Sequence, residues 1–318
     1  MTALTPPTTT TPVTGTTGPR RERTRWGWTV VAAIVGVLFI APAAWILIGS
    51  ARPSTDIVNS MSPLSWSTPI PQRLTGANYS QLFSIAGFGR PMLNSLLVCT
   101  VSVVVGLAVS APAAYAFAVL KFRGRGLLFA VVVISFLVPF EAIAIPLAQQ
   151  FTTWGLANTY VGLILPGVGN GLAIFNLRQA FLGIPSSFRE AALIDGGSEP
   201  RILGRIYLPL SGGALINSAI LLFLAQWTSY LWPLLITSSS NLLVAPLALA
   251  KTYSEHSFNF GENFAGSVLL SLIPALLLFV LQRFFALSVA ASGNKRPGAG
   301  PRRPPGSSSS DRSTATTP

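Results

Sequence analysis

The chain has 318 residues, of which half are hydrophobic and only 9% charged, where a soluble domain carries about 25%. A soluble fold with so few charges would expose large apolar patches, so the composition fits lipid as the solvent. The net charge of +12 comes without a compact basic domain interleaved with aromatics, which argues against nucleic acid and directs the excess to the positive-inside rule.

Residues 1–25 are rich in Thr and Pro and end in Arg20, Arg21, Arg23 and Arg25, a composition that predicts a disordered basic tail. The apolar run from Trp28 to Ile48 is long enough to span a bilayer, which takes about 20 residues. It is also longer than the apolar region of a cleaved signal peptide and reads as a retained first transmembrane helix. Further spans are predicted at about 92–120, 127–148, 160–181, 206–236 and 265–288. The predicted fold is therefore an all-α integral membrane protein with about six transmembrane helices, its transmembrane domain covering 26–291. Residues 292–318 form a second tail of disordered composition.

The one cysteine, Cys99, lies in an apolar run and reads as a small buried hydrophobe; a single cysteine allows no intrachain disulfide and no thiolate metal cluster. The one histidine, His256, falls in a polar loop far from other ligand types. No metal or cofactor is expected. Prolines at 112, 139, 146, 166, 233 and 274 interrupt the predicted spans and suggest kinked helices packed around something.

With six spans the loops alternate sides. One side collects Lys121, Arg123, Arg125, Arg178, Arg189, Arg201, Arg205, Arg283 and the basic residues of both tails, and the other collects Arg52, Arg73, Arg90 and Lys251. The partition is 17 against 4 of the 21 basic residues, which predicts both termini on the cytoplasmic side of a multi-pass cell-membrane protein. Residues 51–91 and 238–264 become polar outer segments.

The inner loop between spans four and five, 184–205, is the most informative stretch. Ser187 and Glu190 have capping-box spacing and predict the start of a short helix. Gly196 is placed to end it in a left-handed cap and is expected to be the loop's most sensitive position. Ser198 is placed to cap a second short helix, with Glu199 and Pro200 in its first turn. The pattern predicts a cytoplasmic helix-turn-helix. Ala191 and Ala192 leave a bare patch for a close protein approach, and Arg189, Arg201 and Arg205 offer charge to an acidic partner or to lipid phosphates.

Glu190-Ala191-Ala192, three residues, Gly196, nine residues, then Ile206-Tyr207-Leu208-Pro209 resembles the EAA signature of ABC importer permeases, and the spacing matches in full. The segments Asn158–Pro166, Leu177–Phe181, Tyr230–Leu234 and Gln282–Phe285 are similar to the carbohydrate branch, on the side of the six-span second permease of maltose-type transporters. The branch often has Trp-Asn where this chain has Trp227-Thr228, and the chain ends in a Pro/Arg-rich tail in place of the usual small residues.

The resemblance implies a permease subunit for a sugar or sugar-like solute. It also implies a second permease, two ATPase subunits and an extracytoplasmic solute-binding protein as partners. By residue, it implies ATPase coupling by Arg189, Glu190, Ala191, Ala192, Asp195, Gly196, Ile206, Leu208 and Pro209.

No phosphate-loop pattern occurs around Lys121, Lys251 or Lys295, so ATP hydrolysis by that route is not expected of this chain. Glu141 is the one acidic residue well inside a predicted span, and an ionisable group at that depth is a candidate for the translocation path. Asn94, Asn217, Gln226 and Trp227 are further candidates for that path, and Asn176 is another polar residue within a span. Each of these also suits an interhelical hydrogen bond. Two other classes stay open on the residues alone. One is a secondary transporter or channel working alone; the other is a membrane-embedded enzyme. Co-purification with an ATPase separates an importer permease, whether for a sugar or another small polar solute, from these two.

Overall fold

The computed structural model of the chain describes residues 22–61, 71, 73–255 and 259–293. His256 and most of both tails lie outside them. All regular elements among the described residues are helices. They fall into two compact units, one built from residues up to 92 with 244–271, the other from 93–243 with 272 onwards.

The first unit holds α1 (Glu22–Ser50), α2 (Ser54–Met61), α3 (Ala77–Ser84), the first turn of α4 (Gly89–Ala118), α14 (Ala245–Glu255) and the first part of α15 (Phe260–Gly293). Helix α1 begins at Glu22, inside the stretch predicted to be a tail, because Glu22–Arg25 continue the helical register of the apolar run. The polar outer segments predicted at 51–91 and 238–264 are substantially folded. Leu82, Phe88, Ala245, Leu249 and Ala265 form a buried core there.

The end of α1 is held by a side chain. Asn78 on α3 is buried and donates to the carbonyls of Ser50 and Arg52 at 2.8 and 2.7 Å. Carbonyls at a helix end have no intrahelical partner, so this amide supplies what the helix lacks. Gly261 permits the approach, since a Cβ there would sit 2.5 Å from Asn78 Nδ2. Arg52 is only 3% exposed and donates to Ser60 Oγ at 3.3 Å.

The second unit holds the rest of α4 and then α5 (Arg125–Leu137), α6 (Phe140–Thr153), α7 (Tyr160–Val168), α8 (Gly171–Leu182), α9 (Ser186–Ile194) and α10 (Glu199–Ile202). A π-helical turn (Leu203–Tyr207), α11 (Leu208–Leu210), α12 (Gly212–Trp227) and α13 (Leu231–Ile236) follow. Helix α8 packs on α5 and α12, and α13 packs on α6 and α7.

Three predicted spans are broken. Span 127–148 is two helices, α5 and α6, meeting at 96°. Proline restricts the residue before it to extended backbone, and Val138 has φ −71° and ψ 121° ahead of Pro139, the N-cap of α6. Span 160–181 bends by 41° between α7 and α8, where Asn170 caps α8 by accepting from Ala173 N at 3.1 Å. Span 206–236 starts too early and runs too far. Residues 206–210 belong to the preceding helical segment, which meets α12 at 86°, and α13 is separate. Trp26–Ser50, Gly89–Ala118 and Phe260–Leu281 are individually long and apolar enough to cross a membrane, and each of the three bent pairs is so as a whole.

The Asn158–Pro166 segment shows why its residue types recur together. Asn158 adopts φ +57°, and its Oδ1 accepts from Ser239 N at 2.9 Å. Thr159 caps α7 through Gly162 N at 3.0 Å. Gly162 is buried, and its carbonyl accepts from Trp232 Nε1 at 3.0 Å.

Asn78→Ala should destabilise the solubilised protein by about 1–3 kcal/mol, the cost of leaving buried carbonyls without donors. Asn78→Asp should be no milder, because it keeps the shape but loses both N–H groups. Thermal unfolding in detergent measures both; wild-type stability in either variant would contradict this account.

Candidate functional site

Two features of the second unit concentrate the functional side chains: the loop 184–205 with the segment that follows it, and a cavity where the helices are broken.

The loop holds α9, a turn and α10, which runs on into the helical segment Glu199–Leu210, and its caps differ from those expected. Helix α9 starts at Ser186 with Pro185 as N-cap and no side-chain cap, so the Ser187–Glu190 capping box is not formed. Pro185 with its extended ψ of 136° starts the helix one residue early and leaves Ser187 inside the first turn. Ser198 does stand at the N-cap of α10, without a side-chain bond.

The turn between the two helices is a complete Schellman motif. Gly196 N donates to Leu193 O at 3.1 Å and Gly197 N to Ala192 O at 2.8 Å, with Gly196 at φ +77°. A Cβ at 196 would meet nothing within 4 Å, so that position is constrained by backbone conformation alone. A Cβ at 197 would lie 2.7 Å from Ala192 O. The steric requirement therefore falls on Gly197, which the motif spacing did not single out.

Helix α9 presents two faces. Glu190, Ala191 and Ile194 are exposed, Ile194 at 87%, and so is Asp195 just beyond the helix. Arg189 and Ala192 are turned partly inward. Arg189 is not a free charge for a partner, as the sequence had suggested. Its guanidinium forms an ion pair with Glu199, Nη2 donating to Oε1 and Nε to Oε2. That hydrogen bond raises the Arg189 pKa above the ordinary guanidinium value, against a smaller opposing effect of burial. Tyr115 of α4 donates its hydroxyl to Glu199 Oε2.

Around this polar triad Tyr115, Phe181 and Tyr207 pack edge to face, with centroids 4.9 Å apart for Tyr115–Tyr207, 5.6 Å for Phe181–Tyr207 and 6.4 Å for Tyr115–Phe181. With Ala111, Ala114, Leu177 and Ile202 they make a buried core, against which Ala192, Ile206 and Leu208 pack. Pro209 is exposed. The variable position of the I-x-L-P run, Tyr207, is thus its most buried residue.

The cavity has a volume of about 500 Å³. Its walls come from near three helix breaks: Phe140 and Glu141 at the start of α6, Pro166 and Gly167 in the last turn of α7 with Asn170 at the cap of α8, and Gln226 with residues 228–232 around the break between α12 and α13. Trp232 is held edge to face against Phe140 and Phe151 at 5.8 and 5.1 Å. Gln226 Nε2 donates to Leu163 O at 3.3 Å, and Gly167 leaves room for its Oε1.

Of the five residues expected on a path, Glu141 and Gln226 line this cavity and the others do not. Asn94 is buried, donates to the carbonyls of Asn241 and Leu243 at 2.9 Å each, and accepts from Tyr160 at 2.8 Å. Trp227 is buried and stacks on Phe223 at 5.5 Å. Asn217 is half-buried on α12. Asn176 serves as an interhelical tie, donating to Ser218 Oγ at 2.8 Å. Tyr115, Glu199 and Gly197 are the site residues that sequence reasoning missed. Only Gly197, doubled with Gly196, carried a visible signal.

The family described as binding-protein-dependent transport system inner membrane component matches residues 106–291. The chain is 34% identical over 276 residues to the arabinooligosaccharide transport system permease protein AraQ of Halalkalibacterium halodurans, covering 85% of this chain and 96% of that one. It is 30% identical over 259 residues to the diacetylchitobiose uptake system permease protein NgcG of Streptomyces coelicolor, covering 80% and 83%. A crystal structure of a bacterial ABC transporter that imports the acidic polysaccharide alginate has a chain of like fold, with TM-score 0.71 and 22% identity over 84% of this chain and all of that one. A permease with its spans broken around a cavity is the class that the fold and site define. The chain belongs to the binding-protein-dependent transport inner membrane components and is a permease subunit of an ATP-driven importer of the ABC type.

Gly197→Ala should open the α9–α10 turn more than Gly196→Asn, because asparagine tolerates the left-handed conformation whereas a methyl at 197 meets a carbonyl oxygen. A loss of about 1.4 kcal/mol reads as about tenfold faster amide exchange in the turn. Equal exchange in both variants, or slower exchange in Gly197→Ala, would contradict the steric argument.

Proposed function

We propose that this permease forms half of the translocation path for a sugar or sugar-like solute and that the loop 184–205 docks on a separate ATPase. The cavity carries the first part of the reading. It joins aromatic faces, Phe140, Tyr230 and Trp232, to uncharged hydrogen-bonding groups and one carboxylate. Apolar sugar faces stack on aromatic rings while hydroxyls need donors and acceptors, and this lining offers both. The permease relatives named above are named for saccharides, which agrees with it.

The outward face of α9 supports the second part. An exposed helix side of Glu190, Ala191 and Ile194, with its own basic residue Arg189 turned away and neutralised, suits a protein surface of opposite shape and modest charge. Partners in this reading are a second permease, two ATPase subunits and an extracytoplasmic solute-binding protein. The chain crosses the membrane six times, with each bent pair counted once, and both termini are cytoplasmic, following the partition of basic residues.

Three experiments test this. Glu141→Ala should lower uptake while membrane insertion is kept, since a carboxylate at membrane depth costs about 2.5–3.5 kcal/mol on insertion scales and is retained for a use. Normal uptake by the variant would remove Glu141 from the path. Glu190→Ala should weaken retention of the ATPase on the purified permease without changing its folding, because Glu190 is exposed and makes no side-chain hydrogen bond or ion pair among the described residues. Undiminished retention would take the docking role away from α9. A reporter fused at the C-terminus should read cytoplasmic; an external readout would rule out six spans.

A further inference from the structure

Among the described residues, a charge-assisted bond ties the loop 184–205 to the long helix α4. Glu199 accepts from Arg189 within the loop and from Tyr115 on α4. Tyr115 also packs its ring on Tyr207, at 4.9 Å between centroids, just beyond the loop. The small residues Ala111 and Ala114 let Ile202 and Tyr207 share a buried core with the same helix. Loop and helix therefore meet through packed aromatics and a hydrogen-bonded ion pair together.

The same helix reaches the cavity. Nine residues before Tyr115, about 14 Å along a helix, Gly106 lies against α7 and α12. A Cβ at 106 would be 3.2 Å from Leu222 Cδ1 and 3.8 Å from Gly167 O, and both residues line the cavity. Helix α4 is continuous from one contact to the other, through Pro112. Toward α7 the glycine meets backbone carbonyls directly, so displacement passes there without a compliant side chain, and toward α12 it meets the Leu222 side chain.

We propose that Tyr115, Glu199 and Arg189 form a latch that makes the coupling loop and α4 move as one body, so that α4 carries the loop's displacement to the walls of the cavity. Tyr115 is then a positioning residue: it touches neither solute nor ATPase. Arg189 has the double task of closing the latch and of keeping Glu199 ionised as an acceptor for the phenol. The inference rests on the docking role proposed for the loop and adds the route by which docking reaches the cavity.

The test needs no solute. The complex with its ATPase is purified into nanodiscs from a Cys99→Ala, Ser229→Cys chain, and position 229 is labelled with a membrane-impermeant maleimide with and without ATP and vanadate. With the latch intact, nucleotide changes the labelling rate. Tyr115→Phe keeps the ion pair inside the loop and removes one hydrogen bond to α4. It should retain the ATPase and reduce the nucleotide effect by about tenfold, the factor that one hydrogen bond to a charged group carries. Glu199→Gln should reduce it at least as much, and the double variant should be no worse than Glu199→Gln alone, because both remove one contact.

An unchanged nucleotide effect in Tyr115→Phe, or additive losses in the double variant, would overturn the latch. A fall in nucleotide effect that merely tracks lost thermal stability and lost ATPase would also overturn it, leaving Tyr115 as a packing residue. If the parent chain itself retains no ATPase, the docking role fails, and the latch fails with it.

Discussion

A backbone N–H or C=O freed from its helix has no water to turn to inside a bilayer, and that constraint shapes this protein. The chain breaks its apolar helices at Val138–Pro139, at Gly169–Asn170 and between Trp227 and Leu231. Unsatisfied groups facing lipid would cost several kcal/mol each, so broken backbone is tolerated where it borders a cavity or a neighbouring helix. Residues at these three breaks line the same cavity of about 500 Å³, whereas the 86° bend ahead of α12 is not among its walls. The freed groups are partly repaid by side chains: Asn170 caps α8, and Trp232 donates to the carbonyl of Gly162.

The coupling region solves a different problem. A short two-helix loop has too little apolar area to hold a defined shape alone, and an isolated helix of nine residues is marginal in water. Its order comes from outside, from Tyr115 on α4 and Phe181 on α8, with Ile202 and Tyr207 supplied by the loop and the turn after it. The Arg189–Glu199 pair adds orientation more than stability. Both partners are partly exposed, and a pair open to solvent contributes at most about 1 kcal/mol. In the docking role proposed for α9, fixing where the helix points matters more than the energy of the pair.

The first unit applies the same economy at the end of α1. Asn78 closes the last carbonyls of the helix, and glycines at 49 and 261 let Phe264 and Asn78 approach where any Cβ would collide. Segments that look like polar loops in composition are folded here through side-chain-to-backbone bonds, which leave no periodic pattern along the chain.

Lipid as the solvent, helix as the regular element of the described residues and the chain position of the loop 184–205 were all legible in the residues themselves. They follow from local properties: length of apolar run, charge partition, and the spacing of Glu190, Gly196 and Ile206. The resemblance of that spacing named the family that the comparisons then established. Proline positions announced irregularity, but not that one would become a 96° break and another an unbroken part of α4. Whether a polar residue in a span faces a cavity or a neighbouring carbonyl depends on helix rotation and on what packs beside it, which is why Glu141 and Gln226 line the cavity while Asn94 and Trp227 do not. Glu199 looked like a helix-start residue and Tyr115 like one more aromatic in a span. Their bond joins positions 84 residues apart, a distance over which no local pattern acts, so only tertiary packing could bring them together.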